Sequence, residues 1–185
     1  MASVLTERWL GEWATQLQAA VERALRDVVS GCSFEADDHR VGPPASGAEL
    51  DLLRQRLPWT PDELVALHRH VGPVTLPDIS NGYFLYAPDG VLAVLDQQDR
   101  ADRIGEPFAE HIDVVVFGSN GGGDLYAITV TVGRVFRFQD ASYIGGVYDR
   151  TNHGIMIVGT DLRDFLERFL NAVNAFAMNG DITDL

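Results

Sequence analysis

Residues Phe117 to Tyr126 read FGSNGGGDLY, three consecutive glycines set between the apolar runs IDVVV and AITVTVG. Two kinds of chemistry use such a segment. Glycine-rich backbone can bring successive N–H groups onto a phosphate, or it can turn a chain sharply where no side chain fits. A phosphate loop needs a Lys-Ser or Lys-Thr pair after the glycines, or a helix whose N-terminus receives the anion. Neither is present, because the glycines lead directly into DLYAITV, a strand pattern. The spacing therefore predicts a hairpin, with the glycines supplying positive φ angles and a bulge, and no bound cofactor.

The other reactive side chains are scattered. His39, His68, His70, His111 and His153 occur without an HExxH motif or a paired CxxC, so no metal site is expected. His68 and His70 stand two apart on a helical pattern and point to different faces. No GxSxG elbow accompanies the serines. Asp37, Asp38, Asp99 and Asp102 read as solvated loop acids, and no carboxylate pair stands out for acid–base work. Cys32 is the single cysteine, which excludes an internal disulfide, and it reads as a small buried or half-buried apolar residue. No catalytic residue is assigned, and a catalytic pocket on a sheet face stays open as an alternative.

Charge narrows the field of partners. Fourteen Lys+Arg, every one an arginine, stand against 27 Asp+Glu, for a net charge of −13 in 185 residues. Such a surface repels a phosphate backbone, so direct nucleic-acid binding is not expected. The same field attracts a basic protein and speeds its encounter. A plain acidic protein of the cytoplasm is the bland counterpart of that reading. The N-terminal MASVLTERWLGEW lacks the apolar core of a secretory signal, and no apolar run is long enough to cross a membrane. The expected address is the cytoplasm.

The pattern divides the chain into a helix over 1–30, a linker over 31–45 and a main domain over 46–180. In the first helix Trp9, Trp13, Leu17, Val21, Ala24 and Val28 recur at helical spacing behind a Thr6 cap. That stripe leaves three options: docking in cis, on a second copy as a homodimer, or on a client. GCSFEADDHRVGPPASG then reads as linker. Ser46 to Glu49 and Thr60 to Glu63 look like two capping boxes opening a helical hairpin over Leu50–Gly72. From Tyr83 the period becomes two-fold. YFLYA, a Pro88-Asp89-Gly90 turn and VLAVLD read as a β-hairpin. A charged irregular stretch comes next, then IDVVVFG, the glycine turn, DLYAITV, a Val132-Gly133 turn, RVFRFQ, a loop around Gly145-Gly146, and IMIVG. Thr160 caps a closing helix whose buried stripe is Leu162, Phe165, Leu166, Phe169, Leu170 and Val173. The expected class is α+β, a mainly antiparallel sheet flanked by an N-terminal helical hairpin and a C-terminal helix.

The segment VVVFGSNGGGDLYAITV, with GRVFRF and GIMIVGTDLRDFLERFL beyond it, resembles the SUKH superfamily of fungal cell-wall assembly regulators and bacterial immunity proteins of polymorphic toxin systems. Gly118, Gly121, Gly122, Gly123, Asp124 and Tyr126, after Phe117, match the family's glycine turn, and Phe165 and Leu166 its terminal helix. The likeness covers residues 46 to 175. Asn120 stands where the family often has Asp, and PVTLPDIS delays the family's Asn-Gly to Asn81-Gly82. The resemblance implies a SUKH-like domain that binds protein without catalysis, in bacteria by occluding a basic toxin domain such as a nuclease or deaminase. A regulatory scaffold of the cell-wall type is the other role it implies. Trp59, Tyr83, Tyr86, Tyr143 and Tyr148 are the candidate aromatic anchors, each with a core role as its alternative.

Overall fold

The computed structural model describes residues 5–33, 35–97, 103–105, 111–139, 143–144, 147–149, 154–183 and 185. The chain opens with α1 (Glu7–Asp27), where the Thr6 hydroxyl accepts from the Trp9 amide as its cap. A short 3₁₀ turn, Val29–Gly31, ends it. Strand β1 (Arg40–Val41) then leads into α2 (Gly47–Arg56) and α3 (Asp62–His70). Next come β2 (Val74–Leu76), β3 (Tyr83–Leu85) and α4 (Pro88–Leu95). The sheet continues with β4 (Arg103–Gly105), β5 (His111–Asn120), β6 (Leu125–Thr129), β7 (Val135–Phe138), β8 (Tyr143–Ile144), β9 (Val147–Asp149) and β10 (Ile155–Gly159). Helix α5 (Leu162–Asn179) closes the fold and ends at Gly180 in the left-handed region.

These strands form one hydrogen-bonded network. Its main run is β1-β2-β3-β5-β6-β7-β10, and β4-β9-β8 continues from the N-terminal part of β5. Among the described residues only the β4–β9 pairing is parallel. The expected α+β class and mainly antiparallel sheet are therefore what the chain adopts. One sheet face carries Val115, Phe117, Tyr126, Ile128 and Val135 beneath the buried stripe of α5, where Phe165 packs edge-on against Phe117 and tilted against Tyr126. The other face carries a smaller cluster of Val114, Val116, Ala127, Phe136 and Phe138, closed by Ile104 and Tyr148.

Helix α1 belongs to the first of these layers. Leu10, Trp13, Leu17, Ala20, Val21 and Ala24 are all buried, and the Trp13 indole donates to the Leu166 carbonyl at 2.7 Å. Trp9 is half-buried and lies under the Arg163 guanidinium at 4.8 Å. The apolar stripe is thus spent in cis, and the outward face keeps Arg8, Glu12, Gln16 and Gln18, so a second copy would meet mostly polar side chains on this helix.

Several local expectations are corrected. VLAVLD is not a strand: Pro88 sits at the first helical position of α4, where its fixed φ and missing N–H suit a helix start. Val91 and Leu92 then pack into the larger cluster, and Val94 against the smaller one. Thr60 does not cap α3, because its hydroxyl donates to the Leu57 carbonyl and Pro61 holds the cap position. The α5 cap is Asp161, which accepts from the Asp164 amide, while Asp164 accepts in return from Thr160. Cys32 is exposed. The 31–45 stretch contributes β1, and β4, β8 and β9 lie in stretches that read as irregular. Gly145 and Gly146 lie outside the described residues. No helix among the described residues is long and apolar enough to cross a membrane.

Candidate functional site: the glycine turn and the aromatic positions

Strands β5 and β6 are joined by the triple glycine, and β6 begins at Leu125, so the turn feeds a strand. Gly118 sits at the bulge just before it, where a Cβ would come within 2.5 Å of the Phe84 carbonyl oxygen. Asn120 organises the turn itself. Its Oδ1 accepts from the Gly122 amide at 3.0 Å and the Asp124 amide at 2.9 Å, an Asx turn, and its Nδ2 donates to Asp124 at 3.1 Å. The Gly121 amide donates to the Asn81 carbonyl at 2.8 Å, and the Gly123 amide to the Asn120 carbonyl at 3.3 Å.

All three glycine amides are therefore consumed by acceptors of the same chain. A cradle for phosphate needs those N–H groups converging outward on the anion. The glycines are exposed on the surface while their donors turn inward. The steric reason for glycine differs from place to place. A Cβ on Gly121 would lie 2.2 Å from the Asn81 oxygen, and Gly123 has φ +91.

A polar cluster lies behind the turn. Arg137 on β7 is buried and stands 3.5 Å from the Asp124 carboxylate. It also donates to the Leu185 carbonyl, and Tyr83 and Ser80 both donate to the Thr183 carbonyl. The last residues thus strap the 80–82 loop and the glycine turn to the sheet. From sequence, Asn120 stands out only as a departure from the family pattern, and Arg137 not at all. For Asn120 the signal existed, an Asn directly before Gly-Gly. For Arg137 there was none, since RVFRF reads equally well with that arginine in solvent.

The aromatic candidates separate by burial. Tyr83, Tyr126 and Tyr148 are between 0% and 1% exposed. Tyr83 packs on Phe169, and Tyr148 on Phe138 with centroids 3.9 Å apart. A side chain with no exposed area cannot anchor a partner, so for Tyr83 and Tyr148 the core reading replaces the docking one, and the motif residue Tyr126 is a core residue as well. Tyr86 is half-buried between the two apolar clusters. The Tyr143 side chain lies outside the described residues. Trp59 remains, 44% exposed at the corner between α2 and α3, with Leu52 of α2 also exposed at 47%.

Charge is tuned at a few positions. Burial pushes Glu63 up, helped by Asp161 and then Asp62. Asp164 is held low, first by its Arg168 hydrogen bond. Burial drives His68 down to about 4. Among the described residues no group of three or more His, Cys, Asp or Glu side chains is placed to hold a metal ion.

His68 makes stability depend on pH. Its folded value of about 4 lies below the ordinary 6.5, so the unfolded chain takes up the proton first as pH falls. Stability from the neutral imidazole is complete above pH 6.5 and is lost between 6.5 and 4. Between pH 7 and pH 5 the loss is expected to be about 2 kcal/mol from this group. His68→Leu should abolish that increment, read as the difference between variant and wild type in urea-unfolding free energy at the two pH values.

Comparison with known proteins yields no matching family model and no matching curated protein.

Proposed function

We propose that the protein is a non-catalytic protein-binding domain of the SUKH type that captures a basic protein, as an immunity protein occluding a toxin domain. The observation that carries this reading is the glycine turn, the most specific part of the resemblance. Its amides are tied to Asn120 and Asn81, so it serves as scaffold and holds no reagent. The net charge of −13 supplies the electrostatic half, since a domain that acts on nucleic acid carries the opposite sign. Trp59 supplies an exposed aromatic anchor of the kind that dominates interface energetics.

The test is co-expression with toxin domains encoded beside the gene. Rescue of growth is the expected result, together with a purified complex whose association slows as salt rises. Trp59→Ala should weaken that complex at least ~30-fold, about 2 kcal/mol, without changing the melting temperature. Absence of a toxin-like neighbour, or several weak partners in place of one tight one, removes the immunity role; the latter result points to a regulatory scaffold.

A further inference from the structure

A second feature lies away from the glycine turn. The 42–45 segment crosses the C-terminal end of α3, held by Gly42 N–H to the Pro73 carbonyl at 2.7 Å and Ala45 N–H to the His68 carbonyl at 2.9 Å. Between this segment, α3 and the start of α4 a pocket of about 200 Å³ opens. Prolines line it from three sides of the chain, Pro43 and Pro44, Pro73, and Pro88. Because proline rings are fixed, the slot is formed before anything enters it.

Three titratable side chains line it, His68, Glu49 and Asp89. His68 lines the pocket, only 3% exposed, and its buried Nε2 has no hydrogen-bond partner. An unpaired buried ring nitrogen costs about 1–3 kcal/mol, so a group that satisfied it would be rewarded. Glu49 and Asp89 also line the pocket, and both are exposed. Glu49 is kept ionised by its bonds to Ser46, which hold its carboxyl below the ordinary value. The arrangement combines one buried neutral imidazole, two surface carboxylates and four proline rings. It contains no cation, and the three polar groups do not form a metal set.

We infer that this pocket receives an arginine side chain of the basic protein partner, its guanidinium held by Glu49, Asp89 and the His68 imidazole. The proposal rests on the protein-binding function proposed for the domain and names where one residue of the partner docks. Arginine fits better than lysine for a stated reason. Its planar fork carries five N–H donors, enough to reach acceptors on different walls at once, and its flat face stacks on proline rings. The lysine ammonium is compact and strongly hydrated, and loses more on entering a narrow slot. Neutral His68 is the right acceptor, because a protonated ring would have no lone pair to offer and would repel the guest. The other titratable side chains that line the pocket come from two segments, Glu49 from α2 and Asp89 from α4, and the 42–45 segment supplies none.

The test uses the full chain and three small probes at pH 7: N-acetylarginine amide, its uncharged isostere N-acetylcitrulline amide, and N-acetyllysine amide carrying a free ε-ammonium. The readout is the imidazole nitrogen and Cε1 resonances of His68 by NMR. Saturable shifts with the arginine probe, at least ~10-fold tighter than with the other two, are expected. Absence of a His68 response, or equal binding of the citrulline or lysine probe, overturns the proposal. Asp89→Asn, which leaves the imidazole in place, should weaken the arginine probe about 5-fold with the melting temperature unchanged. An unaltered affinity would overturn it as well. These probes test the pocket alone, so their failure leaves the partner-binding function standing, while that function falls on the co-expression result whatever the probes do.

Discussion

Replacing the three glycines of the turn one at a time by alanine is expected to give three different losses of stability. Gly121→Ala should cost most, about 3 kcal/mol. Its Cβ would stand 2.2 Å from the Asn81 oxygen, which is backbone and part of the bond that ties the two loops together. Relief requires the 80–82 loop to move, and that loop is also strapped to Thr183 through Ser80. Gly123→Ala meets open space but must adopt φ +91, a cost of about 1 kcal/mol. Gly122→Ala meets only the Asn120 Oδ1 at 3.3 Å without a positive φ, and should change stability by no more than about 0.5 kcal/mol. Urea unfolding of the three variants measures the order. A turn built to hold an anion would show a different pattern: similar stabilities, with an anion-dependent rise in melting temperature lost in each variant. Equal losses at 121 and 122 would contradict the packing argument outright.

The same turn shows what can be read from sequence. Its hairpin character was visible because strand patterns flank it on both sides and no helix start comes after Asp124. The helices α1, α2 and α5 were legible for a similar reason, since apolar residues at helical spacing followed a capping signal, which for α5 was placed one residue early. Where one of these signals was missing, the reading failed. VLAVL is apolar at every position, and periodicity cannot separate a buried strand from a short buried helix. Pro88 decided the matter through its fit at the first helical position, a cue that also suits a turn. Strands β4, β8 and β9 are two or three residues long and exist through pairing with partners distant in sequence.

The candidate sites divide along the same line. The YFLYA run read as a strand without revealing that Tyr83 would face α5. His68 looked like any helical histidine. It is buried, and its backbone carbonyl accepts from Ala45 of the 42–45 crossing, a stretch that composition marks as linker. Properties set by one segment's own pattern were legible, and those set by two segments meeting were not.

Helix α1 provides the sharpest test of that distinction, because the linker composition after it set it apart and packing joins it to the body. A chain beginning at Phe34 is expected not to fold cooperatively. Removal of α1 takes away Leu10, Trp13, Leu17 and Val21, each at most 2% exposed, and uncovers the stripe of α5 beneath them. Burial of four such side chains is worth about 8 kcal/mol, the scale of the whole stability of an ordinary domain. The loss falls on α5, which also covers the sheet through Phe165 on Phe117 and Phe169 on Tyr83, so it does not stay local. Trp13→Ala measures one part of the same interface. It should cost about 4 kcal/mol, with the Leu166 carbonyl left without its indole donor and a void beside Phe169. A truncated chain that unfolds in a single sharp transition within a few degrees of the full protein would show α1 to be an appendage. An aggregating or non-cooperative product would make the helix part of the core, and any partner would then meet α1 only through its polar outer face.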